Sequence, residues 1–322
     1  MARRVLVTGA AGFVGRHLVG ALVADGADVV AWRRPGEPGW SGDAGAPPVA
    51  WRDVELLDPA AVLAAVEDAG PAEVYHLAGA AHVGQSWSHN EVTLSVNVLG
   101  THVLFEALRR VRPGARVLVP GSSTVYRQST SPLDESSPLE PSSPYALSKL
   151  AQERLGVRAW LDDRQPVVVV RAFNHIGPGQ SPSFFAPSFA RQVAAIEAGL
   201  RPPVISVGNL DARRDLTDVR DTVRAYMALV ARGVPGRVYN VCSSVAHGVG
   251  EILEGFVQRA SVRVEVRVDP ALLRPSDNPL VLGNGALLQR DTGWAPVVPF
   301  SRTLDDILDD WRARVTVEIP PL

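Results

Sequence analysis

Three glycines spaced three residues apart, Gly9, Gly12 and Gly15 in GAAGFVG, stand between a β-branched run (RVLVT, ending at Thr8) and an amphipathic stretch from Phe13 to Ala24. A strand that turns through such a loop into a helix is the opening of a dinucleotide-binding βαβ unit. The glycines allow a tight turn and close backbone approach to a pyrophosphate, whose charge then sits at the helix amino terminus. Gly9, Gly12, Phe13 and Gly15 are therefore candidate cofactor contacts.

The rest of the first half repeats this alternation. Apolar runs at Asp28 to Trp32, Val49 to Leu56, Glu73 to Leu77, Arg116 to Val119 and Val167 to Arg171 read as strands. Helical patterns lie between them, at Pro59 to Ala69, about Asn90 to Arg112 and about Pro144 to Leu161. Near-continuous apolar strands separated by helices predict a parallel sheet covered on both faces, and right-handed crossovers make it doubly wound. The predicted fold is an α/β Rossmann domain over residues 1–172, with returning segments near 213–241. A smaller carboxy-terminal substrate-binding lobe covers 173–322. There the spacing predicts helices at Arg191 to Leu200, Thr222 to Ala231 and Gly250 to Arg259. Strands are predicted at Val204 to Val207, Arg237 to Val241 and Arg263 to Val268. The Ser- and Pro-dense loop Gln128 to Ser143 is either a plain surface loop or the border of a cleft.

The end of the second strand reads the adenosine ribose: a carboxylate there suits NAD, an arginine the 2′-phosphate of NADP. This chain has Trp32-Arg33-Arg34, which predicts NADP(H). Arg16, just inside the first helix, is either a further phosphate contact or a surface charge.

Tyr145 and Lys149 (YALSK) lie four residues apart at the start of a predicted helix, so both face the same way. An ammonium beside a phenol favours the phenolate and lowers its pKa, preparing it to exchange a proton with a reacting oxygen. Ser122 in GSST follows the strand from Arg116, where open α/β sheets place their ligands. A hydroxyl there can donate to a carbonyl, and on sequence grounds Ser123 or Thr124 serves as well.

Composition excludes several alternatives. The net charge of -2 offers no basic surface for nucleic acid. One cysteine, Cys242, permits neither an intramolecular disulfide nor a multi-cysteine zinc site, and it reads as a buried hydrophobe. The seven histidines show no metal-ligand spacing. The amino terminus lacks a signal-peptide plan, and no stretch approaches the ~20 apolar residues of a membrane span. A cytoplasmic protein without a metal is expected.

Taken together, these residues resemble the extended short-chain dehydrogenase/reductase family along essentially the whole chain. The resemblance implies a catalytic Ser122, Tyr145 and Lys149, the lysine also holding the nicotinamide ribose. It places His76 to Gly79 (HLAG) beside the cofactor, adding Leu77, Ala78 and Gly79 to its contacts, and gives Asn97 an ordering role. The segment Arg171 to Gln180 (RAFNHIGPGQ) looks like that of enzymes acting on GDP-mannose-derived sugars, above all the GDP-6-deoxy-4-keto-mannose reductases. Asn174, Arg214 and Arg274 are the implied contacts to the sugar diphosphate, and His175 is either a contact or a packed residue. Family dehydratases carry a glutamate two positions after the catalytic Ser or Thr. Thr124 stands there and is no general base, which disfavours dehydration. Arg33 and Arg34 disfavour the tight NAD of epimerases. The implied activity is NADPH-dependent reduction of the C4 ketone of a GDP- or dTDP-linked 4-keto-6-deoxyhexose. A non-catalytic dinucleotide sensor would tend to lose the Tyr–Lys pair. The resemblance also implies a homodimer, packed through the two long helices.

Overall fold

The structure is a computed structural model that describes residues 3–37, 49–81, 83–272 and 278–318. Its strands are β1 (Arg4–Thr8), β2 (Asp28–Arg33), β3 (Ala50–Asp53), β4 (Glu73–His76), β5 (Arg116–Ser122) and β6 (Val167–Ala172). They continue with β7 (Asn174–Ile176), β8 (Val204–Val207), β9 (Arg213–Asp218), β10 (Val238–Val241), β11 (Ala246–Gly248), β12 (Glu265–Val268) and β13 (Leu280–Val281). Seven of them form one parallel sheet in the order β10-β6-β5-β4-β1-β2-β3. The order reverses direction at β1 and β4, so their carboxyl ends flank the crevice of a doubly wound sheet. The fold class is therefore the one the alternation predicts.

The inner strands are apolar on both faces because helices cover both. One layer packs Leu18, Leu22, Tyr226 and Leu229 against the sheet, and the other Val62, Val66, Leu104 and Leu108. Helix starts follow their caps: Asp58 accepts from the N–H groups of Ala60 and Ala61 ahead of Pro59–Ala69. Ser143 accepts from Ala146 ahead of Pro144–Asp163, and both helices carry proline at the start.

The predicted helix from Asn90 to Arg112 is not uniform. A π-turn, Ser95–Leu99, interrupts it between Asn90–Leu94 and Gly100–Val111. Its physical cause is Asn97, buried and drawn inward to bond Ala80 in both directions (2.8 and 3.2 Å) and Ser148 Oγ (2.9 Å).

Residues past Asn174 divide between two bodies. The helix Val219–Arg232, β10 and the helix Ala286–Thr292 pack with the large sheet. β9 instead joins β7, β11 and β13 in a small sheet. A separate core gathers Phe189, Ile205, Leu216, Phe256 and Trp311. No described helix is long and apolar enough to cross a membrane.

Gly9 has φ of 65°, and a Cβ there would lie 2.6 Å from the Ala78 backbone nitrogen. Both the backbone conformation and the close approach of two strand ends require glycine. Gly9→Ala is expected to cost about 2 kcal/mol or more. Urea unfolding checks this, and an unchanged midpoint would show that the loop relaxes freely.

Candidate active site

The helix Phe13–Ala24 begins at Gly12 with no side-chain cap hydrogen bond. A Cβ on Gly15 would run into the Gly9 carbonyl oxygen. An uncapped helix terminus behind a glycine turn is what a pyrophosphate needs, so the loop fits a dinucleotide. Phe13 stacks on His175, with ring centroids 6.1 Å apart. Arg16 donates to Gly179 O (3.1 Å), and His17 contacts Pro178 O (2.9 Å). Of the two readings of Arg16, a plain surface charge does not describe it: its guanidinium ties the Gly177–Gly179 turn to the first helix. His175 is packed and bonded to Phe173 O, and burial lowers its pKa.

Arg33 and Arg34 sit at the carboxyl end of β2 as expected, but neither is idle. Arg33 Nε donates to Asp53 at 2.5 Å. Arg34 pairs with Glu37 at 2.8 Å while its side chain stays 73% exposed. An exposed pair of that kind is worth at most about 1 kcal/mol and yields readily to a stronger anion.

At the end of β5, Ser122 Oγ accepts from the N–H (3.2 Å) and hydroxyl (3.0 Å) of Thr124 and hydrogen-bonds Tyr145. The cap at Ser143 fixes Tyr145 in the first turn of its helix, and Lys149 follows one turn later. Ser122 and Tyr145 thus come together, and Lys149 sits one turn further along the same helix. Burial raises the phenol pKa of Tyr145, opposed only by the Ser122 hydrogen bond. The expected lowering of the phenol by Lys149 is therefore corrected: loss of water sets the direction, and only the Ser122 hydrogen bond works against it. A phenol that keeps its proton is a proton donor. Lys149 is buried, and burial pushes its pKa down to about 8. Sequence reasoning passed over a countable fact: Lys149 is the single lysine of the chain, the other 31 basic residues being arginine.

Beside this group opens a cleft of about 760 Å³, lined by Trp87, Thr124, Tyr126, Asn174, Phe185 and Arg214 among others. Asn174 on β7 and Arg214 on β9 come together on its wall because these strands pair. Burial lowers the Arg214 pKa, and its Nη1 donates to Arg213 O at 2.9 Å. Arg274 lies outside the described residues. Arg171, by contrast, turns away from the cleft into a buried ion pair with Glu153. Leu77, Ala78 and Gly79 follow β4; Ala78 N–H donates to Thr8 Oγ1, and Ala80 N–H donates to Asn97 Oδ1. Cys242 is buried, as read. No cluster of metal-ligating side chains is found among the described residues.

Known proteins share this chain's sequence and fold. The GDP-6-deoxy-D-mannose reductase of Pseudomonas aeruginosa is 37% identical, the match covering 99% of this chain and 100% of that protein. The solved structure of RMD from Pseudomonas aeruginosa complexed with NADPH superposes with a TM-score of 0.86 at 35% identity, covering 98% of this chain and 100% of that one. Thermus thermophilus UDP-glucose 4-epimerase in complex with NAD gives 0.83 at 28% identity, covering 96% and 99%. The family model described as GDP-mannose 4,6 dehydratase matches residues 6–307. With the glycine loop, the Ser–Tyr–Lys group and the cleft all inside that span, the chain belongs to the GDP-mannose 4,6-dehydratase family.

Proposed function

We propose that the chain is a cytoplasmic, NADPH-dependent reductase that converts the C4 ketone of GDP-4-keto-6-deoxymannose to an alcohol. The observation that carries this is the Ser122–Tyr145–Lys149 group beside a cleft, with Thr124 where a dehydratase would need a carboxylate. The full-length reductase relative supports the same substrate.

Gly9, Gly12, Phe13 and Gly15 hold the pyrophosphate of NADPH. Arg33 and Arg34 meet its 2′-phosphate, and Leu77, Ala78, Gly79, Tyr145 and Lys149 border its nicotinamide half. When bound, the cofactor supplies the hydride. Asn174, Arg214 and Arg274 grip the sugar diphosphate, arginine being suited to phosphate oxygens by its planar fork. Ser122 donates a hydrogen bond to the ketone oxygen. Tyr145 gives its proton to that oxygen as negative charge develops there. Lys149 lends positive charge, which stabilises the tyrosinate left behind.

The test is NADPH consumption with GDP-4-keto-6-deoxymannose and dTDP-4-keto-6-deoxyglucose in parallel, with NADH as control. Oxidation with the GDP sugar is the expected result. Oxidation with the dTDP sugar alone would reassign the base, and oxidation with neither would overturn the reading. The pH dependence has a definite sign. Lys149 titrates at about 8 and the Tyr145 phenol above its ordinary value, so the lysine loses its proton first. The reduction rate is expected to fall as pH rises through about 8.

The same reading includes a homodimer. Val92, Leu99, Leu147 and Leu161 are 49–59% exposed on neighbouring helical segments, an apolar face that a second copy would cover. Light scattering at micromolar concentration is expected to give twice the chain mass, and a monomer would refute it.

A further inference from the structure

Lys149 is steered by a device that no motif announced. Its Nζ donates to Gln152 Oε1 at 2.5 Å, one turn along the same helix. An amide can present either end to an ammonium, so something must fix its orientation. Thr101 does so. Its hydroxyl donates to the Asn97 backbone carbonyl at 2.6 Å, which can only accept, so its one proton is spent. Towards its other neighbours Thr101 Oγ1 is an acceptor. It receives Gln152 Nε2–H at 2.8 Å and His76 Nε2–H at 2.9 Å. The imidazole is therefore protonated at Nε2 and accepts at Nδ1 from the Thr8 hydroxyl at 2.9 Å. The Thr8 oxygen in turn accepts from Ala78 N–H at 3.1 Å. Every proton in this buried chain has one consistent placement, and the placement leaves the oxygen of Gln152 facing the lysine.

From this we infer that Gln152, locked by Thr101 and His76, is the positioning residue for Lys149, holding its ammonium on a neutral oxygen so that the charge is steered without being cancelled. The inference rests on the proposed function for Lys149's part in the reaction. The groups around the lysine agree with it. His76 on β4 is buried and stays neutral, its pKa pushed down to about 3. Tyr145 lies one turn back and Tyr226 faces Tyr145 from the helix Val219–Arg232. Glu153, the neighbouring carboxylate on the helix, is taken by Arg171. Burial lowers the lysine's own pKa.

The test uses the chain's single lysine. Labelling with lysine carrying ¹⁵N at Nζ gives one ammonium resonance, whose pH titration needs neither substrate nor cofactor. Gln152→Glu, which sets a carboxylate against the ammonium, is expected to raise the Lys149 pKa by more than one unit and to lower kcat about tenfold. Gln152→Met, which removes the oxygen and keeps the bulk, is expected to shift the resonance and lower kcat without raising the pKa. Thr101→Val, which frees the amide to turn over, is expected to move the resonance the same way as Gln152→Met. Melting temperatures monitor folding, and Thr101→Val carries the test if the Met variant does not fold. A Lys149 titration unmoved in Gln152→Glu and Thr101→Val, with kcat within twofold of the parent, would overturn the inference. Because the titration is read on the chain alone, a parent enzyme inactive on the GDP sugar would refute the proposed reaction and leave the Lys149–Gln152 coupling to be decided separately.

Discussion

Tyr145→Phe is expected to lower kcat by about 10²- to 10⁴-fold while leaving NADPH affinity within about twofold. The substitution removes one oxygen and keeps the ring that packs at the start of the helix Pro144–Asp163. That oxygen's partner is Ser122, which retains its two bonds from Thr124, so the site keeps its shape. What is lost is the proton the ketone oxygen must receive. Single-turnover NADPH oxidation measures the chemical step, and a fluorescence titration of NADPH measures binding. Turnover within tenfold of the parent would assign the proton to another group.

The largest stability effect is expected at Glu153, far from the chemistry in role though close in sequence. Its carboxylate meets Arg171 through two bonds of 2.8 Å, with side chains 1% and 5% exposed. Arg171 also donates to Tyr126 Oη and Glu135 O at 3.0 Å, and Tyr126 donates to Asn240 at 2.7 Å. Helix, sheet and the Ser- and Pro-rich loop are thereby joined at one guanidinium. Glu153→Leu fills the same space but leaves that charge buried without a counter-charge, a loss of about 3–5 kcal/mol. For a chain of this size the melting temperature should fall on the order of 10 °C. Calorimetry checks it, and the double variant Glu153→Leu, Arg171→Met should recover much of the loss. A fall of only a degree or two would mean that Tyr126 and Glu135 suffice.

The parts of this fold legible in the sequence are those whose cause is local. The helices Pro59–Ala69 and Pro144–Asp163 announce themselves by a cap and a proline, and the inner strands by apolar runs that only a doubly covered sheet can bury. The glycine loop and the four-residue Tyr–Lys spacing belong to the same class. β7 and β9 were not legible as strands, because NHI and RRDLTD carry no alternation and are strands by virtue of pairing, β7 with β9, and β9 with β7, β11 and β13. The π-turn at Asn97 and the orientation of Gln152 are set by partners 17 to 51 residues away. Gln152 did leave one trace: three residues past Lys149 on a helix, it had to share the lysine's face.

The solitary lysine has a consequence for how this enzyme can be handled. Reagents that acylate amines find two targets in the whole chain, the amino terminus and Lys149, and the fold withholds the second. Modification at Lys149 therefore proceeds at the rate at which its pocket opens. Peptide mapping of a timed acylation becomes a clock for breathing at the reaction centre, and any small molecule that closes the pocket should slow it.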